Sequence, residues 1–362
     1  MSDAEPSRVD DRARRALAVV NAARRLADAS DPLGIEARRA LPGATGLSAA
    51  NVELSLSRHI ETSVTTADLE RLVARAGSAR RVHVVLSANV FTGVARAVAL
   101  AVAAAPSVVV RPSSREAVLA PLLLRAMADR GAGATIELSD ALAPAPGDHV
   151  HVYGRRETIA AIRGRCPPDV TVRGHGPGFG IAVAGGATDD ARRQAERLSW
   201  DIIAFDQRGC LSPRLAFVDG SRADAERFAS CLAAALAERE RQVPRGILSE
   251  EERHQQALYR HTLQAAGRCL EGTSFAVGFD PEPRALLLPP VGRYIHVARI
   301  GAEGELGRLI DPYRGAITCI GRAEASTPAE SLAALVPGAR ILPLGNMQCP
   351  PLDGPVDLRE ML

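Results

Sequence analysis

Of six cysteines, at positions 166, 210, 231, 269, 319 and 349, one stands where a thiol can do chemistry. Cys210 follows Gly209 in FDQRGCLSPRLAFV, an expected turn between a helix and a strand, and such a boundary exposes a side chain. The other five lie in apolar or helical contexts, where a free thiol is a small buried hydrophobe. None forms a CxxC pair or a His-flanked cluster, so structural zinc is not expected. The histidines add no metal site: His149 and His151 share a strand face and His254 and His261 are seven apart on a helix, without carboxylate or cysteine partners at ligand spacing. His175, between Gly174 and Gly176, is either a proton donor or a tolerated loop residue.

The surrounding elements fix where these groups stand. Residues 8–80 read as helical segments, with Ala16, Val19, Val20 and Ala23 at helical spacing. From Arg81 the pattern becomes strand (RVHVVLSANV), helix (94–104), strand (SVVVRPSS), helix (SREAVLAPLLLRAMADRG, ended by Gly131), strand (DHVHVYG) and helix (RRETIAAIRGR). That alternation predicts a parallel sheet wound with right-handed crossovers. Ligands in such sheets bind at the carboxyl ends of the strands, where Asn89, Arg111 and Gly154 fall. A glycine-rich segment, RGHGPGFGIAVAGG, then precedes a helix expected to start near Thr188. Residues 222–268 read as helical with a break at QVPRG, and the remainder as short strands and loops ending in the proline-rich LGNMQCPPLDGPVDL. The fold expected is α/β, with two domains built on wound, mostly parallel sheets: residues 1–185, an N-terminal helical segment with a cofactor-binding domain; residues 186–345, a domain carrying the cysteine; and a tail, 346–362.

Composition excludes several mechanisms. All 44 basic residues are arginine, so Schiff-base chemistry, a pyridoxal-phosphate anchor and a P-loop lysine are ruled out. A net charge of +2 gives no field that would gather nucleic acid or an acidic membrane. The charged N-terminus has no secretory h-region, and the longest apolar stretch, 94–110, carries Arg96 and Pro106 and falls short of the ~20 residues of a spanning helix. A cytoplasmic protein with reduced thiols is expected.

The succession SANVFTGVARAVALAVAAAPSVVVRPSS, VHVYGRRETIAAI, RGHGPGFGIAV and FDQRGCLSPRLAFV resembles the aldehyde dehydrogenase superfamily, in its order of strand-terminal asparagine, KPS-like strand end, glycine turn, glycine pair and catalytic cysteine. Within it the chain is most similar to the LuxC-type acyl-CoA reductases, through DQxxCxSP around Cys210 and the terminal LGNMQCP. The likeness is good over roughly residues 80–220 and looser in the last third. It implies that Cys210 is the nucleophile and Asn89 the amide donor to the oxyanion. It implies NADPH rather than NADH, because Arg111 replaces the KPS lysine and, with Ser113, suits a 2′-phosphate. Gly154, Arg155, Gly174 and Gly176 fall at the remaining cofactor positions, and Arg156 adds charge beside them. The implied activity is NADPH-dependent reduction of acyl-CoA or a carrier-bound acyl thioester to an aldehyde through an acyl-cysteine, in a homo-oligomer, with an acyl-supplying enzyme as a candidate partner.

Two departures bear on this reading. Where hydrolytic relatives carry a water-activating glutamate, this chain has Arg173, which cannot be a general base, so an acyl-enzyme would hydrolyse poorly. No EIFGP-like glutamate occurs in ALLLPPVGRYIHVARI. Two alternatives therefore stand beside the reductase: a cysteine acyltransferase or thioesterase pairing Cys210 with His175, and an inactive family member serving as a binding scaffold.

Overall fold

The computed structural model describes residues 5–128, 133–185, 190–301, 304–324 and 326–359; Gly131 and Thr188, the expected end and start of two helices, lie outside them. Among the described residues, contacts divide the chain into two compact units, the first drawn from 5–45, 52–177 and 351–359 and the second from 46–51 and 178–350.

The first unit begins with four helices, α1 (Glu5–Ala27), α2 (Pro32–Thr45), α3 (Ala49–Arg58) and α4 (Thr66–Ala76). The expected stripe of α1, Ala16, Val19, Val20 and Ala23, is buried. Next come β1 (Val82–Val85), α5 (Gly93–Ala104), β2 (Ser107–Arg111), α6 (Leu119–Ala128), β3 (Thr135–Leu138), β4 (His149–Tyr153), α7 (Arg156–Arg163) and β5 (Thr171–His175). The five strands form one parallel sheet in the order β3-β2-β1-β4-β5. The order reverses between β1 and β4, the switch point at which wound sheets open a crevice. Arginines close the helix ends: from α1, Arg12 donates to Ala103, Val73 and Gly77 carbonyls and Arg15 to that of Val102. These are the orphan carbonyls of the last turns of α4 and α5.

The second unit holds β6 (Phe179–Gly185), α8 (Ala191–Ile203), β7 (Pro213–Asp219), α9 (Arg222–Gln242), α10 (Glu250–Ala266), β8 (Arg268–Glu271), β9 (Ala276–Asp280), β10 (Tyr294–Ile300), α11 (Glu305–Ile310), β11 (Ile317–Arg322), α12 (Ala329–Leu335) and β12 (Arg340–Pro343). Its seven strands run β12-β11-β6-β7-β10-β9-β8, parallel except for the β8–β9 pair. One face carries an apolar core of Ile181, Val183, Phe217, Ile300, Ile310 and Ile320. Both α9 and α10 start with capping boxes, at Ser221/Asp224 and Ser249/Glu252.

Four sequence expectations are corrected. ATIEL forms an edge strand, β3, which its alternating, largely exposed residues had not announced. The expected helix from Ser114 starts instead at Leu119, because Ser113–Glu116 is a tight turn and the Glu116 carboxylate accepts the Val118 and Leu119 N–H groups at 2.8 Å. The glycine-rich RGHGPGFGIAVAGG is two strands, β5 and β6, and β6 lies inside the seven-stranded sheet, so the units part near 177 rather than at the expected 185. Glycine is needed in this buried strand: a Cβ on Gly180 would collide with the Leu211 carbonyl and Met347 Cε. Nor is 346–362 a separate tail. Asp201 fixes the Gly345 and Met347 N–H groups at 2.6 and 2.9 Å in the second unit, whereas Asp353 pairs with Arg75 at 2.7 Å in the first.

Candidate active site

The α8 helix delivers the chain to a 3₁₀ turn, Ala204–Gln207, in which Phe205, Asp206 and Gln207 have φ of 51°, 49° and 66°. Each non-glycine residue at positive φ costs about 1–3 kcal/mol, so three in succession persist only where surrounding contacts impose them. Those contacts are buried and polar. Asp206 Oδ1 accepts from Arg293 Nε and Nη2 at 3.0 and 2.8 Å and from Asn51 Nδ2 at 3.1 Å, and Oδ2 accepts from Gly246 N at 2.9 Å. Both Asp206 and Arg293 are withdrawn from water, and Arg293 itself has φ 73°. Asn51 Oδ1 accepts the Phe205 N–H at 3.2 Å. Gln207 ties the turn to two strands, donating to the Pro213 and Tyr294 carbonyls at 2.6 and 2.8 Å and accepting the Tyr294 N–H at 2.8 Å.

Cys210 stands immediately beyond this anchored stretch, in the turn before β7, partly exposed. Its carbonyl accepts a hydrogen bond from Thr318, which also reaches the Phe179 carbonyl at 3.2 Å. Ser212 receives Gln348 Nε2 at 3.4 Å, which brings the LGNMQCP segment to the same turn. The remaining cysteines are poorer nucleophiles where their ionisation is perturbed: burial pushes the Cys166 thiol up, the Cys269 thiol to about 12, and the fully buried Cys319 thiol further still. A raised pKa removes the thiolate that attacks.

In the first unit the expected residues gather at the carboxyl ends of the parallel strands. Asn89 is exposed in the β1–α5 loop, and its Oδ1 accepts Arg115 Nη2 at 3.1 Å. Arg111 ends β2 with an exposed side chain. Ser113 folds back on its own turn, its hydroxyl accepting the Arg115 N–H at 3.3 Å. Gly154 follows β4, and Arg155 is the N-cap of α7 without a capping side-chain bond, which leaves first-turn N–H groups open. The glycines differ in purpose. A Cβ on Gly174 would overlap Ile159 of α7, so its small size serves helix–sheet packing, while Gly176 meets Ile159 Cδ1 only at 3.7 Å.

Arg173 is committed elsewhere: its Nη1 donates to the Ala76 and Arg75 carbonyls at 3.2 and 3.4 Å and closes the end of α4. Beside it lies an aromatic row in which His151 is buried and Tyr153 and His175 are half-buried. His175 stacks on Tyr153 at 4.3 Å and meets His151 edge-on at 6.0 Å. Burial pushes His175 down to about 4 against the pull of Asp357, and lowers His151 well below its ordinary value. Both are neutral at pH 7, and no group of metal-ligating side chains occurs among the described residues. Asp206, Gln207, Arg293, Thr318 and Arg115 were not singled out from sequence; the DQ of DQxxC was the one visible signal for the first two.

The fold has solved counterparts. PnpE from Pseudomonas sp. WBC-3 superposes with a TM-score of 0.67 at 15% identity, covering 91% of this chain and 77% of that one. The gamma-glutamyl-gamma-aminobutyraldehyde dehydrogenase of Burkholderia cenocepacia J2315 gives 0.65 at 14%, covering 92% and 76%. An aldehyde dehydrogenase of Mycobacterium tuberculosis complexed with NAD+ gives 0.64 at 12%, covering 92% and 77%. No curated protein sequence matches the chain. The acyl-CoA reductase (LuxC) family matches residues 58–362, and with the aldehyde-dehydrogenase-like fold around Cys210 this chain belongs to that family of oxidoreductases.

Proposed function

We propose that the protein reduces an acyl thioester, acyl-CoA or carrier-bound, to an aldehyde through an acyl-enzyme on Cys210, using NADPH. The observation that carries this reading is the strained, buried platform that holds the partly exposed Cys210 in the turn before β7. The Cys210 thiolate attacks the thioester carbonyl, a new C–S bond forms, and the bond to the carrier sulfur breaks as that thiolate leaves. The negative oxygen formed on the way needs hydrogen-bond donors, a role that the likeness to the family gives to the Asn89 amide and the Cys210 N–H. A reduced nicotinamide, held through Arg111 and the first turn of α7, would supply the hydride. Cys210 then departs as thiolate when the thiohemiacetal collapses to aldehyde.

The strand ends of the first unit suit a dinucleotide: they flank a switch point, carry the exposed Arg111 guanidinium for a 2′-phosphate, and present the open first turn of α7 for the diphosphate. Arg155 adds charge there; Ser113, Gly154, Gly174 and Gly176 shape the surrounding backbone. With arginine at position 173, the acyl-enzyme lacks a water-activating carboxylate at that place and should persist in water.

Intact mass after incubation with acyl-CoAs, without cofactor, tests the proposal. One acyl group per chain is expected, absent in Cys210→Ala and discharged on adding NADPH. Loss of the adduct within seconds in water would favour a thioesterase, and aldehyde formation by Cys210→Ala would remove Cys210 from the mechanism. No acylation by any thioester would favour an inactive scaffold.

A further inference from the structure

Asn89 has an amide whose two ends are alike in shape and opposite in polarity. If the nitrogen faces a developing oxyanion it stabilises it; if the oxygen does, it repels it. Something must set the orientation. We propose that Arg115 is the positioning residue that does so, a role that rests on the assignment of Asn89 to the oxyanion. A guanidinium has donors only, so its hydrogen bond at 3.1 Å engages Oδ1 and leaves Nδ2–H directed elsewhere. Among the described residues Arg115 makes no ion pair, and Asn89 is the one side-chain partner of its guanidinium. Its positive charge is therefore not cancelled locally. A charged donor on the amide oxygen also polarises the amide and strengthens the opposite N–H as a donor.

The backbone under Arg115 is fixed by short-range bonds. The Ser113 hydroxyl accepts the Arg115 N–H, the Ser113 carbonyl accepts the Glu116 N–H at 3.2 Å, and the buried Glu116 carboxylate fastens the turn to the start of α6. The short turn after β2 thereby reaches the loop after β1, and β1 and β2 are hydrogen-bonded neighbours, which is why residues 89 and 115 meet.

The test is the single-turnover rate at which acyl-CoA acylates Cys210, read by mass, across Asn89→Ala, Arg115→Met, Arg115→Lys and the Asn89→Ala/Arg115→Met double variant. Losing an oxyanion donor should slow Asn89→Ala about 10²-fold. Arg115→Met should be slowed about tenfold, with half-saturation by acyl-CoA changed less than about twofold, since a charge-assisted bond on the donor amide is lost but no substrate contact. Lysine keeps a charge and three donors, so Arg115→Lys should stay within about threefold of the parent. The double variant should be no slower than Asn89→Ala, because Arg115 acts only through Asn89. Additive losses with weaker acyl-CoA saturation would mean that Arg115 binds substrate directly, and would overturn the proposal. A normal rate in Arg115→Met with a slow Asn89→Ala would overturn it while leaving the oxyanion assignment standing. A normal rate in Asn89→Ala would remove that assignment and this inference together.

Discussion

In the turn before Cys210, three successive non-glycine residues sit at positive φ over a buried Asp206–Arg293 pair, with Asn51, Gln207 and Thr318 closing the remaining hydrogen bonds. In the loop that carries Asn89, an exposed side chain is oriented by one bond from an equally exposed arginine. The first arrangement resembles a core and the second a surface. A buried ion pair is costly to break because the surviving charge is left without water or partner, whereas an exposed contact can be lost with little effect on folding. The position of Cys210 is thus tied to the stability of the second unit, while the orientation of Asn89 is open to adjustment without endangering the first.

The sharpest way to break this contrast is Asp206→Ala, which leaves Arg293 buried and unpaired and should destabilise the protein by about 3–5 kcal/mol. Denaturant melts measure it, and the rate of Cys210 alkylation should change with it. On the same assay Arg115→Met should shift stability by less than about 0.5 kcal/mol. Equal effects from the two variants would erase the distinction.

The next effect is acid sensitivity in the first unit. His151 and His175 are neutral when folded because burial lowers both, with Arg173 opposing and Asp357 favouring protonation of His175. Once unfolded they regain an ordinary value near 6.5. Below that pH the unfolded chain takes up protons that the folded chain refuses, so their stabilisation is complete above about 6.5 and falls away towards about 4, by roughly 3 kcal/mol for His175. Urea midpoints between pH 4 and 8 should show that slope, flattened in His175→Phe. The buried His296 of the second unit, pushed to about 4 by burial, adds a slope of the same sign. An unchanged slope in the variant would place the acid sensitivity elsewhere.

A smaller change is expected from Gly174→Ala, whose added methyl overlaps Ile159 and should cost about 1–3 kcal/mol, relieved in part by Ile159→Val. Cofactor affinity should follow stability and not fall further, since the glycine serves the α7 contact. The mildest is Arg111→Leu. It should reduce preference for NADPH over NADH by about tenfold, roughly 1.4 kcal/mol, in fluorescence titrations without changing the melt. Equal affinity for both cofactors in the parent would take Arg111 out of the site.

Much of the first unit was legible because its signals are local. Helical spacing in α1, the run VHVV in β1 and the glycine after β4 each follow from a few adjacent residues. The strand β3 escaped because an edge strand need not be apolar, and β6 escaped because glycines that punctuate loops also serve where buried backbones approach closely. Cys210 and Asn89 stood out by residue type at an element boundary or strand end and by the order of motifs, while nothing near Arg173 announced that its guanidinium closes the end of α4.

The sequence by itself determined the alternation of strands and helices, the exclusion of lysine chemistry and the family likeness, and it singled out Cys210 among six thiols as the candidate nucleophile. Only the tertiary structure decided what holds that thiol in place. Asp206 and Arg293 are 87 residues apart and Asn89 and Arg115 are 26 apart, and nothing in either segment names its partner. Hydrophobic period and turn propensity act over a few residues, whereas a hydrogen bond between distant segments depends on which strands become neighbours, and that is settled by burial of the whole core.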